Sequence, residues 1–224
     1  MTGTQMLTLL SQKIEDESNT LLTEDEKILA INQAQIKAAS LVDKAFLHPL
    51  EVKNTGMTLT NGEKDLSESY NWYSKMLFRK LERVVTEADN REYYIVDFEE
   101  SAKLDNEYYE QTNTESQYAG HCYLWGSTLV TKPAVTSTVE IYYYRKPKDF
   151  VTAVSGPDTI SIGTECELDV LLHEPIVDLA ASSIFFRDNK DARGVKCFEN
   201  AIAIINVANQ RELDVIEKGT GLKT

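Results

Sequence analysis

The chain has 224 residues, 42% of them hydrophobic, and its 23 basic and 36 acidic residues give a net charge of −13. So acidic a surface repels phosphate backbones, which disfavours a nucleic-acid-binding function, while the apolar fraction is sufficient for the core of one domain, with or without an insertion. No apolar run approaches the roughly 20 residues that span a bilayer, and the first residues lack the basic segment and cleavage site of a secretory signal.

Two helices are predicted in the first 50 residues. An apolar stripe over residues 6–15 predicts a short helix. Thr23 and Glu26 form a capping-box pattern, in which each side chain bonds the backbone of the other residue, so we expect a longer helix over residues 24–43. The buried face of this longer helix is predicted from the 3–4 spacing of five positions. They are Ile28, Ile31, Gln35, Ala38 and Val42.

A β-hairpin is predicted after this helical region. Residues 54–70 are polar and contain the turn signal Asn61-Gly62, so we expect a long loop or a loose hairpin there. Residues 76–86 fit a helical stripe at least as well as a strand, and we prefer a strand only because of the family resemblance given below. Together with a strand over residues 92–98, they would form a hairpin around Asp89-Asn90. The acidic residues 99–116 are expected to form a surface excursion.

A second hairpin and a long strand follow. Residues 119–124 and 127–132 predict two strands around Trp125-Gly126. Residues 138–147 alternate strictly between two faces, which is typical of a half-buried strand. Tyr142 and Tyr144 would point away from the apolar face of this strand. Because exposed rings need a covering layer or a neighbouring subunit, these tyrosines favour oligomerisation.

The last third of the chain is predicted to be mainly helical. We expect a short strand at 159–162, a helical turn opened by the capping-box pattern of residues 164–167, and helices over 173–187 and 191–213. Pro175 marks either a kink or the first turn of a helix. Gly194 costs the last helix about 1 kcal/mol relative to Ala.

Strands grouped between helices indicate an α+β fold. We predict a helical bundle, made of the N- and C-terminal helices, with an inserted small antiparallel β-sheet. The predicted regions are N-terminal helices at 1–50, a sheet region at 51–163, C-terminal helices at 164–213 and a flexible tail at 214–224.

The sequence contains no motif typical of a metal site or an enzyme. His48, His121 and His173 lie far apart and lack metal-site spacing, and the adjacent His121 and Cys122 would point to opposite faces of a strand. No P-loop, nucleophile elbow or dinucleotide-binding motif occurs. The three cysteines are expected to be reduced and buried. They are Cys122, Cys166 and Cys197. We therefore expect no enzymatic activity, no metal and no cofactor.

Three segments, in order and spacing, resemble the head–tail adaptor (connector) proteins of tailed bacteriophages. Residues 31–35, Ile-Asn-Gln-Ala-Gln, are similar to the leucine-asparagine-x-alanine core of that family. Residues 140–147 are similar to its final strand, which ends in tyrosines and Arg-Lys-Pro, and residues 171–181 resemble its hydrophobic–His–Glu–x–Ile–Val–x–x–Ala helix. The chain departs from the family pattern at residues 54–75, residues 99–116 and Pro175.

The resemblance implies a helical bundle with an inserted sheet, and a homo-oligomeric ring, usually of twelve copies, docked beneath the portal protein after DNA packaging. Such adaptors line a channel that double-stranded DNA traverses without specific binding, and they give a further tail or ring protein a docking platform. The implied location is the head–tail junction of the virion, with synthesis in the host cytoplasm and no membrane partner. The acidic charge would then serve either solubility or a channel wall that does not grip DNA.

Candidate interface residues follow from the resemblance and from the tyrosine pattern. A heterologous ring contact uses two different patches of each subunit, and we place them on the first long helix and on the outer face of the 138–147 strand. The polar residues 211–224 correspond to a family segment that reaches into the portal, and we expect them to order on binding. The candidates are Gln35, Ala38, Tyr142, Tyr144, Arg211, Glu212, Lys218 and Leu222.

Two other functions compete with the adaptor hypothesis. The tyrosines and the 99–116 excursion would suit a tail accessory or receptor module that binds a cell-surface glycan, and ring formation without glycan affinity would separate the two. A small hydrolase that uses dispersed carboxylates would need a deep pocket and a carboxyl group of raised pKa. We rank the adaptor first and the hydrolase last.

Overall fold

The computed structural model describes residues 1–67, 75–77, 80–107 and 118–220. The chain divides into two compact units. The helical unit contains Met1–Leu50 and Pro147–Thr224, and the sheet unit contains Glu51–Lys146. Among the helices of the described ranges, none has the length and apolar character that crossing a membrane requires.

The helices of the described ranges are α1 (Gly3–Lys13), α2 (Glu24–Leu41), α3 (Phe98–Glu107), α4 (His173–Arg187) and α5 (Asp191–Thr220), with 3-10 turns at Lys44–Leu50 and Val170–Leu172. The strands are β1 (Glu51–Leu59), β2 (Glu63–Asp65), β3 (Arg83–Thr86), β4 (Glu92–Ile95), β5 (Tyr118–Trp125), β6 (Thr128–Lys132), β7 (Ser137–Tyr144), β8 (Asp149–Val151) and β9 (Thr159–Ser161).

Helix α4 lies at the centre of the helical unit. It packs against α1, α2 and α5, and most of its residues are buried, as expected for a helix that is apolar on all sides. Pro175 lies in its first turn, where the missing N–H costs no helical hydrogen bond. The predicted capping box of α2 is confirmed, because the Thr23 side chain accepts from the Glu26 N–H and the Glu26 side chain accepts from the Thr23 N–H.

The sheet unit contains a seven-stranded sheet in the order β1-β7-β3-β4-β5-β6-β2. All neighbouring strands are antiparallel except β4 and β5, which run parallel. Helix α3 lies between β4 and β5 in the chain, where a parallel pair needs a crossover. Thr60, the residue after β1, forms a β-bridge with Glu63 of β2 and so connects the two outermost strands. The sheet is therefore nearly barrel-shaped.

One face of this sheet carries the apolar core of the sheet unit. Strict alternation along β7 buries Val139, Ile141 and Tyr143, and the pairing of β7 with β1 and β3 extends the same face. The core residues are Met57, Leu59, Leu66, Met76, Leu81, Val84, Tyr93, Cys122, Leu129, Val139, Ile141 and Tyr143. The opposite face is called the outer face below.

The predicted helical bundle with a small inserted antiparallel sheet is wrong. The chain is 44% helical and 28% strand, and its main sheet is seven-stranded and mixed. Strand β1 was missed because most of its side chains are exposed or half-exposed, so it lacks a clear apolar alternation. The parallel pair was missed because the residues expected to form a surface excursion begin with helix α3.

The local predictions in the sheet unit and near residue 165 have mixed outcomes. The Asn61-Gly62 and Trp125-Gly126 turns are confirmed, with positive φ at Asn61, Gly62 and Gly126. The strand predicted over residues 76–86 forms only at Arg83–Thr86, and residues 78–79 lie outside the described residues. The capping box predicted at residues 164–167 is wrong, since Glu165 forms a β-bridge with Thr2 instead.

Candidate docking surfaces

The described residues offer little for metal or nucleophilic chemistry. They contain no group of His, Cys, Asp and Glu side chains that could hold a metal ion. Burial raises the pKa of the Cys122 thiol to about 12 and that of the Cys166 thiol to about 11. Since the thiolate is the reactive form, both buried cysteines are poor candidates for a nucleophile. Cys197 is only partly buried.

Tyr142 lies in a charged cluster on the outer face of the sheet. The Lys53 Nζ is 2.8 Å from the Glu140 Oε2, and the Tyr142 hydroxyl donates to the same carboxylate at 3.0 Å. The Lys53 ammonium and the Arg83 guanidinium each lie 5.5 Å from the centre of the Tyr142 ring. Hydrogen bonding from Lys53 lowers the pKa of Glu140. The chain's own residues therefore partly cover this ring.

An exposed aromatic patch lies at the start of α3. The Phe98 ring centroid is 4.3 Å from that of Trp125 and 5.7 Å from that of Tyr123. Phe98 is 47% exposed and Trp125 is 58% exposed. We call Phe98, Tyr123 and Trp125 the aromatic patch. Exposed aromatic clusters of this kind are typical of protein interfaces.

Acidic residues border this aromatic patch. Asp97, Glu99 and Glu100 precede or follow Phe98 in the chain, and all three are exposed. We call them the acidic rim. A hydrogen bond of 2.9 Å between the Ser101 hydroxyl and the His121 Nε2, both buried, holds α3 on β5. The patch and its rim are thus fixed to the sheet.

The aromatic patch was missed by sequence reasoning. The acidic composition of residues 99–116 predicts a surface excursion, although Asp97 followed three residues later by Glu100 matches a helix start signal. That signal would have found α3. The contact of Phe98 with Trp125 joins residues that no local pattern connects. Residues 108–116 of the predicted excursion lie outside the described residues.

A basic groove lies between α1, α4 and α5 of the helical unit. It is lined by Lys13, Asp178, Phe185, Arg193, Lys196, Cys197 and Asn200. The Lys13 ammonium pairs with the buried Asp178, and Arg193 pairs with Glu15 at 2.5 Å. Phe185 has the Arg193 guanidinium 5.2 Å and the Lys190 ammonium 6.0 Å from its ring centre. We call Lys13, Lys190, Arg193 and Lys196 the basic groove residues.

The sequence-predicted interface residues occupy different environments. Gln35 and Ala38 are buried in the helical unit, where Gln35 donates to Asn32 at 3.2 Å and accepts from the Cys166 thiol at 3.4 Å. Tyr142 and Tyr144 lie on the outer face of the sheet unit and are half-buried. The remaining candidates lie at the C-terminal end. Arg211, Glu212 and Lys218 belong to α5, their side chains being outside the described part of the chain, and Leu222 lies outside the described residues. Their interface roles stay predictions.

Comparison with known proteins identifies the family of this chain. No curated protein sequence matches the chain. The sequence profile described as SU10 adaptor protein matches residues 1–217, which include the whole sheet unit and nearly all of the helical unit. The chain therefore belongs to the SU10 adaptor protein family, a family of phage head–tail adaptors.

Proposed function

We propose that this phage structural adaptor forms a closed ring, of about twelve copies, at the junction between the portal protein and the tail. The observation that carries the proposal is the family match over residues 1–217. Because the match covers the whole sheet unit and nearly all of the helical unit, both units are parts of the adaptor. A partner surface is therefore to be sought on either unit.

The surfaces of the two units support a role in assembly. The aromatic patch exposes rings of the type that anchor protein interfaces, and the outer face around Tyr142 presents both signs of charge. These features favour a protein that binds other proteins.

The charge of the chain supports passage of DNA without binding. At a net charge of −13, a channel wall built from many copies repels the phosphate backbone rather than gripping it. We propose that double-stranded DNA traverses the ring without specific contacts. The next tail or ring protein would then dock on the face of the ring away from the portal.

Portal binding is assigned to the end of α5. This helix continues to Thr220, beyond the predicted limit of 213, and it carries Arg211, Glu212 and Lys218. We propose that this end of the helix inserts into the portal. Leu222 would follow as an apolar anchor. This assignment extends the expectation drawn from the family resemblance.

The experiment is the mass of the purified protein, alone and mixed with its cognate portal protein, by native mass spectrometry and light scattering. The adaptor is expected to join the portal in equal copy number. A protein that stays monomeric and does not bind the portal would overturn the proposal. Exclusive binding of a glycan would instead favour the receptor-module alternative.

A matched pair of variants tests the portal contact. Arg211→Glu with Lys218→Glu reverses two charges on α5 and is expected to weaken portal binding by at least tenfold. Lys80→Glu reverses one exposed charge in the sheet unit and should leave portal binding unchanged. Equal effects of the two changes would show that α5 is not the docking element.

A further inference from the structure

We propose that the aromatic patch and acidic rim of one copy dock in the basic groove of a second copy. This inference rests on the proposed ring and names the surfaces that build it. The patch belongs to the sheet unit and the groove to the helical unit, so the contact joins two different surfaces of identical chains. Such a heterologous contact produces a closed ring when its rotation closes.

The aromatic patch has the composition of an interface centre. Trp125 and Phe98 are 58% and 47% exposed, and their rings contact each other. Large aromatic side chains supply most of the binding free energy in protein interfaces when a partner excludes water from them. Two further tyrosines, Tyr94 of β4 and Tyr118 of β5, are also about half-exposed. Their ring centroids lie 6.2 Å apart. This region therefore gains stability when another protein covers it.

The basic groove supplies the opposite charge in an otherwise acidic chain. Four of the 23 basic residues meet there. Lys13 and Arg193 are paired with Asp178 and Glu15. Lys190 and Lys196 form no ion pair with any residue that the structure describes. Arg193 and, to a smaller extent, Lys190 lower the pKa of Glu15, so carboxylates from another molecule would share Lys190 with Glu15 and would pair more directly with Lys196.

Two exposed apolar side chains lie close to these cations in the chain. Phe186 and Val195 are each 44% exposed, and they flank the turn from α4 to α5 that carries Lys190. The Phe186 ring lies over Gly194, within 3.2 Å of the position a Cβ would take. The absence of a side chain at Gly194 therefore lets this ring lie flat on α5. Exposed apolar side chains thus lie beside the groove in the chain, on two of the helices that line it.

Charge selects this pairing over symmetric ones. Patch against patch would place Asp97, Glu99 and Glu100 of two copies together, and groove against groove would place two sets of cations together. Like charges juxtaposed at an interface are repulsive and disfavour association. Only a patch-to-groove contact brings opposite charges together, so charge disfavours pairing of two patches or of two grooves. This complementarity is the reason why we assign a second copy as the occupant of the groove.

The test reverses the charge on each side and then mixes the variants. Glu99→Lys with Glu100→Lys gives a chain with a basic rim, and Lys190→Glu with Lys196→Glu gives a chain with an acidic groove. Each variant alone is expected to lose the ring, with at least a tenfold fall in the assembled fraction. A mixture of the two should recover it, because in an alternating ring every contact again joins opposite charges. Ring mass is read by native mass spectrometry, with and without the portal.

Control variants separate this pairing from general charge effects. Glu63→Lys and Lys80→Glu change exposed residues outside both surfaces and should leave the ring intact. If wild-type rings form and the reversed variants form them equally well, the pairing is wrong and the ring function stands. If rim variants keep the ring but lose the portal, the patch binds the portal and the pairing is also wrong. If the wild type forms no ring in either sample, the proposed function fails and the pairing fails with it.

A crosslinking measurement does not depend on the charge variants folding. Cys197 lines the groove, whereas Cys122 and Cys166 are buried. A Glu99→Cys chain treated with a bismaleimide is expected to give a ladder of multimers, and adding Cys197→Ser should abolish it. A ladder that persists without Cys197, or no ladder from assembled rings, would overturn the pairing.

Discussion

The helical unit and the sheet unit bury their polar atoms differently. In the helical unit, charged and amide side chains lie inside and bond to backbone groups, as Lys27, Asp16 and Asn32 do. In the sheet unit, the buried polar side chains of the described residues are Thr86, Ser101, His121 and Thr131, and the ion pairs of Lys53 with Glu140 and of Arg83 with Glu92 lie on the outer face. Loss of one buried charge leaves its partner unsatisfied, whereas an apolar core shares its stabilisation among many contacts. The helical unit therefore depends more strongly on single residues.

The connection between α1 and α2 shows this dependence. Asp16 accepts backbone N–H bonds from Thr20, Leu21 and Leu22 at 2.8 to 3.1 Å. The fully buried Lys27 ammonium lies 3.1 Å from the same carboxylate. Burial acts to raise the pKa of Asp16, but these donors outweigh it and hold that pKa below its ordinary value. One carboxylate thus fixes the whole connection.

Asn32 makes a similar bridge between α2 and β8. Its side-chain amide donates to the Phe150 carbonyl at 3.0 Å and its oxygen accepts the Phe150 N–H at 2.9 Å. An asparagine in this position imitates a neighbouring strand for β8. This contact explains why the adaptor-like segment of residues 31–35 places an amide on a buried helix face.

The largest expected effect comes from Lys27→Ala. Removal of the ammonium leaves Asp16 buried without its counter-charge, and we expect Tm to fall by on the order of 10 °C. Differential scanning calorimetry measures the change, with the exposed Lys80→Ala as control. A variant that melts within about 2 °C of wild type, close to the effect of about 1 kcal/mol in a chain of this size, would show that the buried pair does not stabilise the unit.

The apolar core of the sheet unit gives the next test. Ile141→Ala, at a fully buried position of β7, is expected to cost about 2–5 kcal/mol of unfolding free energy through lost contacts and a cavity. Urea denaturation followed by circular dichroism measures it. The neighbouring half-buried Tyr142→Phe, which loses only a hydroxyl, is the matched control. Equal losses for the two variants would contradict the assignment of faces on β7.

Acid should weaken the helical unit through Asp16. The folded pKa lies below the ordinary value of 3.8, so the unfolded chain takes up a proton first as pH falls. The stabilisation is therefore complete well above pH 3.8 and is lost below it. We expect the Tm difference between wild type and Asp16→Asn to shrink from pH 7 to pH 3. The exposed Glu17→Gln serves as control, and a difference that stays constant with pH would contradict this role.

The smallest effect is expected on the outer face of the sheet. Lys53→Ala removes the contacts with Glu140 and with the Tyr142 ring, but the lysine is half-exposed, so the loss should be about 0.2–1 kcal/mol. Thermal unfolding at low and high salt measures it, and salt should reduce it further. A loss as large as that of Ile141→Ala would mean that the outer face is as important for stability as the core.

The sequence predicted correctly those elements that are specified by a pattern of a few neighbouring residues, such as a capping box or an alternation of apolar and polar side chains. The Thr23 capping box and the alternation along β7 each reflect a local preference, and the structure confirms both. For Pro175 the sequence left a kink and a first turn open, and the structure shows the first turn. The resemblance to phage adaptors was likewise carried by short segments, and the family match confirms it. The positions of Tyr142 and Tyr144 on the outer face followed from alternation alone.

Tertiary structure decided the rest. Strand β1 has little apolar alternation of its own and becomes a strand because β7 supplies its hydrogen-bond partners. The parallel pairing of β4 with β5, the near closure of the sheet and the contact of Phe98 with Trp125 depend on partners distant in sequence. So does the basic groove, where Lys13 meets residues of α5 that lie about 180 positions later in the chain.

The sequence by itself determined the local elements and the family, because neighbouring residues set backbone preference. Only the fold decided which surfaces are buried and which remain for partners, because burial depends on contacts between distant segments.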